Sequence, residues 1–176
     1  MNTEILVILA LILVNGFFSL SEMAIVSSRK ARLQQRMEEG HKGAKLALAT
    51  LQNPTNFLST VQIVITLVGT IAGAFGGATV AEELATYFQQ TGMAAGRADS
   101  IALAIVVAAT TFLSVVIGEL VPKSVALSKP EAIAGFVSYP MRVFSILFFP
   151  IVRLLSATTT MVLALFGQKY KGEPEI

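Results

Sequence analysis

The chain has 176 residues, 54% of them hydrophobic and 14% charged, with a formal net charge of +2. A soluble domain carries roughly 25% charged residues, so this composition excludes an ordinary soluble globule and a disordered chain and points to the membrane. There is no Cys and a single His, His41, which excludes disulfides, thiolate metal sites and a multi-His metal centre within one chain.

The first apolar run, Ile5 to Val26, has acids only at its edges, Glu4 before it and Glu22 near its end. It opens on Met1-Asn2-Thr3-Glu4 without a positive side chain, unlike a signal peptide, and is read as a retained helix over 5–27. Residues 29–50 follow as a helix on the cytoplasmic side, whose basic end can meet anionic membrane lipid. Asn53-Pro54-Thr55 is a turn, and Phe57 to Val80 is a second span without a charge. The third span covers 100–122, with no charge from Ser100 to Gly118. A helix crosses the roughly 30 Å hydrocarbon core in about 20 residues, so each run is long enough.

The last stretch, 131–166, is expected to lie along the cytoplasmic interface as a bent helical segment. Arg153 would otherwise sit near the bilayer centre, at a cost of about 2.5–3.5 kcal/mol. Pro140 and Pro150 are expected to break the helix, and a crossing would carry Lys169 and Lys171 outward. Residues 1–166 thus form one all-α integral membrane domain with three spans, and 167–176 read as a linker to further cytoplasmic domains. Lys and Arg concentrate after the first span (Arg29, Lys30, Arg32, Arg36, Lys42, Lys45), whereas the loop after the second holds Glu82, Glu83 and Asp99 against Arg97. The positive-inside rule then puts the N-terminus outside.

Polar groups converge at one depth, in the inner half of each span. Asn15, Ser19 and Glu22 share a face of the first helix. Ser59, Thr60, Gln62 and Thr66 begin the second, and the third ends Thr111-x-x-Ser114-x-x-x-Gly118-Glu119. Glu119 is set among Val115, Val116, Ile117, Leu120 and Val121. Two readings stand for it: a functional intramembrane acid, or a helix-end ion pair with Lys123 at i+4. Pro122 has no N–H, so the Gly118 carbonyl loses its i+4 donor. A free backbone oxygen beside a carboxylate suits a hard cation such as Mg²⁺ or Ca²⁺, although a plain proline kink gives the same pattern. Ser19 and Ser21 point about 200° apart on a regular helix, so facing one ion together requires a distortion near Gly16. Gly69, Gly73 and Gly77 are four apart and predict close helix packing or a homodimer seam.

Asn15-Gly16-Phe17-Phe18-Ser19-Leu20-Ser21-Glu22-Met23-Ala24, Asn53-Pro54-Thr55-Asn56-Phe57-Leu58-Ser59-Thr60-Val61-Gln62 and Gly118-Glu119-Leu120-Val121-Pro122-Lys123 resemble the membrane domain of the CorC/CNNM (cyclin M-like) family over about residues 1 to 166. The resemblance implies a multi-pass plasma (inner) membrane Mg²⁺ transporter, an exporter coupled to Na⁺. It also implies a homodimer with three spans per subunit and a juxtamembrane helical belt. Its ion site falls on Ser19, Ser21, Gly118 and Glu119. Depth and face add Asn15, Glu22, Thr60 and Gln62 as a second tier. The alternative is a Mg²⁺-sensing regulator that does not transport. The outer halves hold Gly73, Gly76, Gly77 and Thr79 but few side-chain oxygens, which bears on that choice. No His pair, Ser–Lys or Ser–His arrangement lies in the spans, so no enzyme is expected, and no nucleic-acid partner.

Overall fold

Every predicted apolar run is helical in the structure, a computed structural model that describes residues 2–165, and no strand occurs among the described residues. The predicted linker 167–176 and the end of the segment at residue 166 lie outside the described residues. The helices are α1 (Asn2–Ser27), α2 (Lys30–Glu38), α3 (Lys42–Gln52), α4 (Thr55–Phe75), α5 (Ala81–Gln90), α6 (Ala95–Val115), α7 (Val121–Ser128) and α8 (Pro130–Leu165). Two five-residue π-turns, Gly76–Val80 and Val116–Leu120, join α4 to α5 and α6 to α7 without interrupting the helical path.

Three expectations need correction. The cytoplasmic helix 29–50 is two helices, because the chain turns at Gly40, whose φ of 89° only glycine adopts readily. The helices that carry the predicted spans 57–80 and 100–122 extend past those bounds, as Thr55–Gln90 and Ala95–Ser128, 36 and 34 residues. At 1.5 Å per residue these are about 50 Å long, against roughly 30 Å for a hydrocarbon core. Finally, Pro140 and Pro150 do not end α8, which is one helix of 36 residues. Each proline deletes one backbone donor, and the flanking hydrogen bonds keep the ladder intact in an apolar segment. Four helical stretches, Thr3–Ser27, Thr55–Gln90, Ala95–Ser128 and Pro130–Leu165, are long and apolar enough to cross a membrane.

The chain divides into two units, residues 1–23 with 64–128 and residues 24–63 with 129–176. In the first, α5 and α6 pack through small residues at i, i+4 spacing, Ala81 and Ala85 against a face with Ala98, Ala102 and Val106. The turn between them has Gly92 at φ 95°, and Gln89 Nε2 donates to Asp99 Oδ1 at 3.1 Å. Gly76 lets the first π-turn meet α6 closely: a Cβ there would lie 3.2 Å from Thr110 Cγ2.

In the second unit α3 packs on α2 and α8. Leu33, Ala47, Phe57, Val61, Val137 and Met141 are among its buried side chains. Gly43 and Gly135 put α3 and α8 in backbone contact, and a Cβ on Gly43 would overlap the Gly135 carbonyl. Glu131, buried in the first turn of α8, accepts from the Arg29 N–H at 3.3 Å and lies 4.0 Å from the Arg32 guanidinium. The outer faces of both units are covered in large apolar side chains, among them Leu13, Phe112, Leu147 and Leu154. Exposed apolar surface on this scale fits lipid as the solvent.

Candidate functional site

The site is built where α1 crosses the second π-turn, inside the first unit. A π-turn hydrogen-bonds i to i+5, and here the Val121 N–H donates to the Val116 carbonyl. In an α-helix that N–H would serve Ile117. Pro122, the i+5 residue of Ile117 and the i+4 residue of Gly118, has no N–H to give. Two successive carbonyls, Ile117 and Gly118, therefore lose these regular donors. Pro122 alone predicts the release of Gly118; the register shift that also releases Ile117 has no sequence signal beyond a Gly-Glu pair before a proline.

The glycines make the crossing close. A Cβ on Gly16 would lie 3.1 Å from both the Ile117 carbonyl oxygen and Pro122 Cγ. A Cβ on Gly118 would lie 3.2 Å from Asn15 Nδ2 and 3.3 Å from the Ile12 carbonyl oxygen. Across this contact Asn15 Nδ2 donates to the Gly118 carbonyl at 3.2 Å. The Asn15 Oδ1 that remains is buried without a partner, and so is the Ser19 hydroxyl one turn further along α1. Buried polar atoms are nearly always paired, so two orphaned oxygens on one helix face mark a place that the protein alone does not satisfy.

The predicted residues divide as follows. Asn15 and Gly118 are joined directly. Ser19 is fully buried and unpartnered. Ser21 is equally buried, but its hydroxyl donates to the Phe17 carbonyl at 2.7 Å. The distortion expected in α1 near Gly16 is absent, since α1 is regular from Asn2 to Ser27 and the irregular backbone belongs to the π-turn instead. Glu119 is half-exposed and its Oε1 accepts from Lys123 Nζ at 2.7 Å, the helix-end pair that the i, i+4 spacing allows. Glu22 is partly exposed. Thr60 and Gln62 belong to the second unit: the Thr60 hydroxyl donates to the Asn56 carbonyl at 2.8 Å, and Gln62 is exposed. Among the described residues no group of three or more His, Asp or Glu side chains is placed to hold a metal ion, so a cation here would take most of its ligands from hydroxyl, amide and carbonyl oxygens.

The backbone-carbonyl cradle at Gly118-Glu119-x-x-Pro122 lies in a region that matches a family as a whole. The Cyclin M transmembrane N-terminal domain family matches residues 6–176. The chain belongs to the CorC/CNNM family. It is 48% identical over 164 residues to the UPF0053 protein sll0260 of Synechocystis, covering 93% of this chain and 37% of that protein. It is 33% identical to the UPF0053 protein YhdT of Bacillus subtilis, over 97% of this chain and 37% of the relative. A second Bacillus subtilis relative, the UPF0053 protein YhdP, is 31% identical over 98% of this chain and 39% of its own length. The chain thus spans less than half the length of these relatives. As a CNNM-family membrane domain with several long apolar helices, it is a multi-pass membrane protein.

Proposed function

We propose that this CNNM-family domain moves Mg²⁺ across the membrane, as an exporter coupled to Na⁺, and that it is not an enzyme. The observation that carries the reading is the crossing of α1 with the second π-turn. There the Gly118 carbonyl, freed by Pro122, meets a helix face bearing two buried, unpartnered oxygens, Asn15 Oδ1 and Ser19 Oγ. Mg²⁺ is the substrate. It sheds water reluctantly and needs several oxygens at about 2.0–2.1 Å, which hydroxyls and carbonyls supply without adding charge. Glu119 supplies the charge. With Glu119 as the sole carboxylate one positive charge remains, which favours release; with Glu22 added the site would be neutral and would hold the ion longer.

Loading the site requires two changes. Lys123 must give up Glu119, and α1, which is regular here, must distort before Ser21 can face the ion together with Ser19. Alternating access would supply them, with the ion entering from the cytoplasmic side. The topology proposed with this reading has the N-terminus outside, three spans in the plasma (inner) membrane and α8 along the cytoplasmic interface. Two copies would meet through the face of Gly69 and Gly73, where an added Cβ would find nothing within 4 Å. A second reading, a Mg²⁺-sensing regulator without transport, is favoured by the outer halves of the spans, which hold Gly73, Gly76, Gly77 and Thr79 but few side-chain oxygens.

Flux decides between the two. In proteoliposomes loaded with a Mg²⁺ indicator, the transporter reading requires Na⁺-dependent Mg²⁺ movement that Glu119→Gln abolishes. Saturable Mg²⁺ binding with no flux would establish the regulator. Neither binding nor flux would remove both.

A further inference from the structure

We propose that the second unit holds the headgroup of an anionic phospholipid in a basic cavity between the α2–α3 turn and the first turns of α8. The cavity is about 560 Å³ and open on one side. One wall carries Arg36, His41 and Lys42; the other is α8, with Phe136 and Tyr139 at its rim. This inference is independent of ion transport and rests only on the chain being a membrane protein.

Charge selects the ligand. Of the lining residues only Glu131 is acidic, and its carboxylate is already engaged by the Arg29 N–H and lies near the Arg32 guanidinium. Arg36 and Lys42 make no ion pair with any described residue. The cavity therefore holds an excess of positive charge, Arg36 and Lys42 against Glu131. The positive end of the α3 dipole adds to this charge: His41, the N-cap residue, gives no side-chain cap, and His41, Lys42 and Gly43 all line the cavity. A phosphate group is the anion that this combination fits, by charge-assisted bonds from a guanidinium and an ammonium.

Geometry selects the source. The α8 wall continues directly into an apolar outer face with Val143, Ile146 and Leu147 all largely exposed. Tyr139 is half-exposed between the basic cavity and that face, the position that amphipathic rings take at a membrane interface. A phospholipid would place its phosphate against Arg36 and Lys42 and lay its acyl chains along α8; a free phosphate would use only the first half of this surface. Gly43 and Gly135 both line the cavity, and their backbone contact sets how closely its two walls approach.

The test is lipid titration of the purified chain in dodecyl maltoside, followed by native mass spectrometry and thermal unfolding. The probes are dioctanoyl phosphatidylglycerol, dioctanoyl phosphatidylcholine and inorganic phosphate. Phosphatidylglycerol should bind saturably, and Arg36→Gln with Lys42→Gln should weaken it about 10- to 30-fold, near the strength of two Lys/Arg contacts to an anionic surface. Lys30→Gln with Lys45→Gln removes the same charge outside the cavity and should weaken binding by less than about threefold. If the first pair fails to fold, Lys42→Gln alone, at an exposed position, should still cost about fivefold. Equal losses in the two double variants would overturn the site in favour of diffuse surface attraction. Equal binding of phosphatidylcholine would overturn the charge argument. Stabilisation by inorganic phosphate that matches phosphatidylglycerol would overturn the lipid as its source.

Discussion

The amide of Asn15 reaches across from α1 to the Gly118 carbonyl, 103 residues away in sequence, at 3.2 Å. That one contact ties the start of the chain to the irregular turn before Pro122. It also fixes the amide's orientation, because only the nitrogen can donate to a carbonyl. The oxygen of the same amide is then left buried and unpartnered beside the Ser19 hydroxyl. Structural and functional demands meet here: the nitrogen holds the crossing together, and the oxygen is available to a cation.

Asn15→Ala should therefore do two things. Removing the donor strands the Gly118 carbonyl and should destabilise the protein by about 1–3 kcal/mol, read as thermal unfolding in detergent. It should also lower Mg²⁺ affinity, because an oxygen of the proposed site is lost. Ser19→Ala gives the contrast. Its hydroxyl has no partner, so stability should be unchanged or slightly raised while Mg²⁺ affinity falls. A stability loss in Ser19→Ala equal to that in Asn15→Ala would contradict the assignment.

The glycines separate into tight and open positions. Gly16→Ala and Gly118→Ala place a methyl at 3.1–3.2 Å from neighbouring atoms, and for each glycine one of those atoms is a backbone carbonyl oxygen within 3.3 Å. Each should cost about 1–3 kcal/mol through forced separation of α1 from the π-turn. Gly43→Ala should be at least as damaging, because its methyl would overlap the Gly135 carbonyl. Gly69→Ala and Gly73→Ala meet nothing and should raise the stability of the single chain by up to about 1 kcal/mol through helix propensity. If that face is the homodimer seam, the same two changes should reduce the dimer fraction in light scattering.

Lys123 is the built-in competitor of any cation at Glu119. The pair is part-exposed, with a third to half of each side chain open, so its strength should be that of a surface pair. Lys123→Gln should free the carboxylate and raise Mg²⁺ affinity about two- to fivefold by calorimetry. Glu119→Gln should abolish binding. A lower Mg²⁺ affinity in Lys123→Gln would show that Lys123 helps to build the site.

How much of this was legible in the sequence depends on the range of the interaction. Runs without charge located the long helices, since apolar length alone governs that outcome. Pro122 announced the free Gly118 carbonyl, and the i, i+4 spacing announced the Glu119–Lys123 pair, because both are local rules of helix chemistry. The distortion expected in α1 belongs to the π-turn: which of two packed helices deforms is set by the crossing, not by either sequence alone. The break at Gly40 is a C-terminal glycine stop, with Gly40 at positive φ and the His41 N–H donating back to the Arg36 carbonyl at 3.0 Å, a signal that one helix over 29–50 leaves out. The basic cavity needed three segments brought together, Arg36, His41–Lys42 and α8, which no spacing along the chain reveals.

The path of α8 relative to the membrane is open to direct labelling. The sequence has no Cys, so each introduced Cys reports alone. Ala132→Cys and Thr160→Cys stand at exposed positions near the two ends of α8, 28 residues apart, or about 42 Å of helix. With α8 along the cytoplasmic interface, a membrane-impermeant maleimide added to inside-out vesicles should label both, and right-side-out vesicles should protect both. A crossing helix would expose them to opposite sides. Arg142 and Arg153 are both exposed on α8, which favours the first outcome: at an interface both guanidinium groups reach the headgroups, whereas a crossing would hold Arg153 within the hydrocarbon at about 2.5–3.5 kcal/mol. Labelling of the two positions from opposite sides would turn α8 into a fourth span.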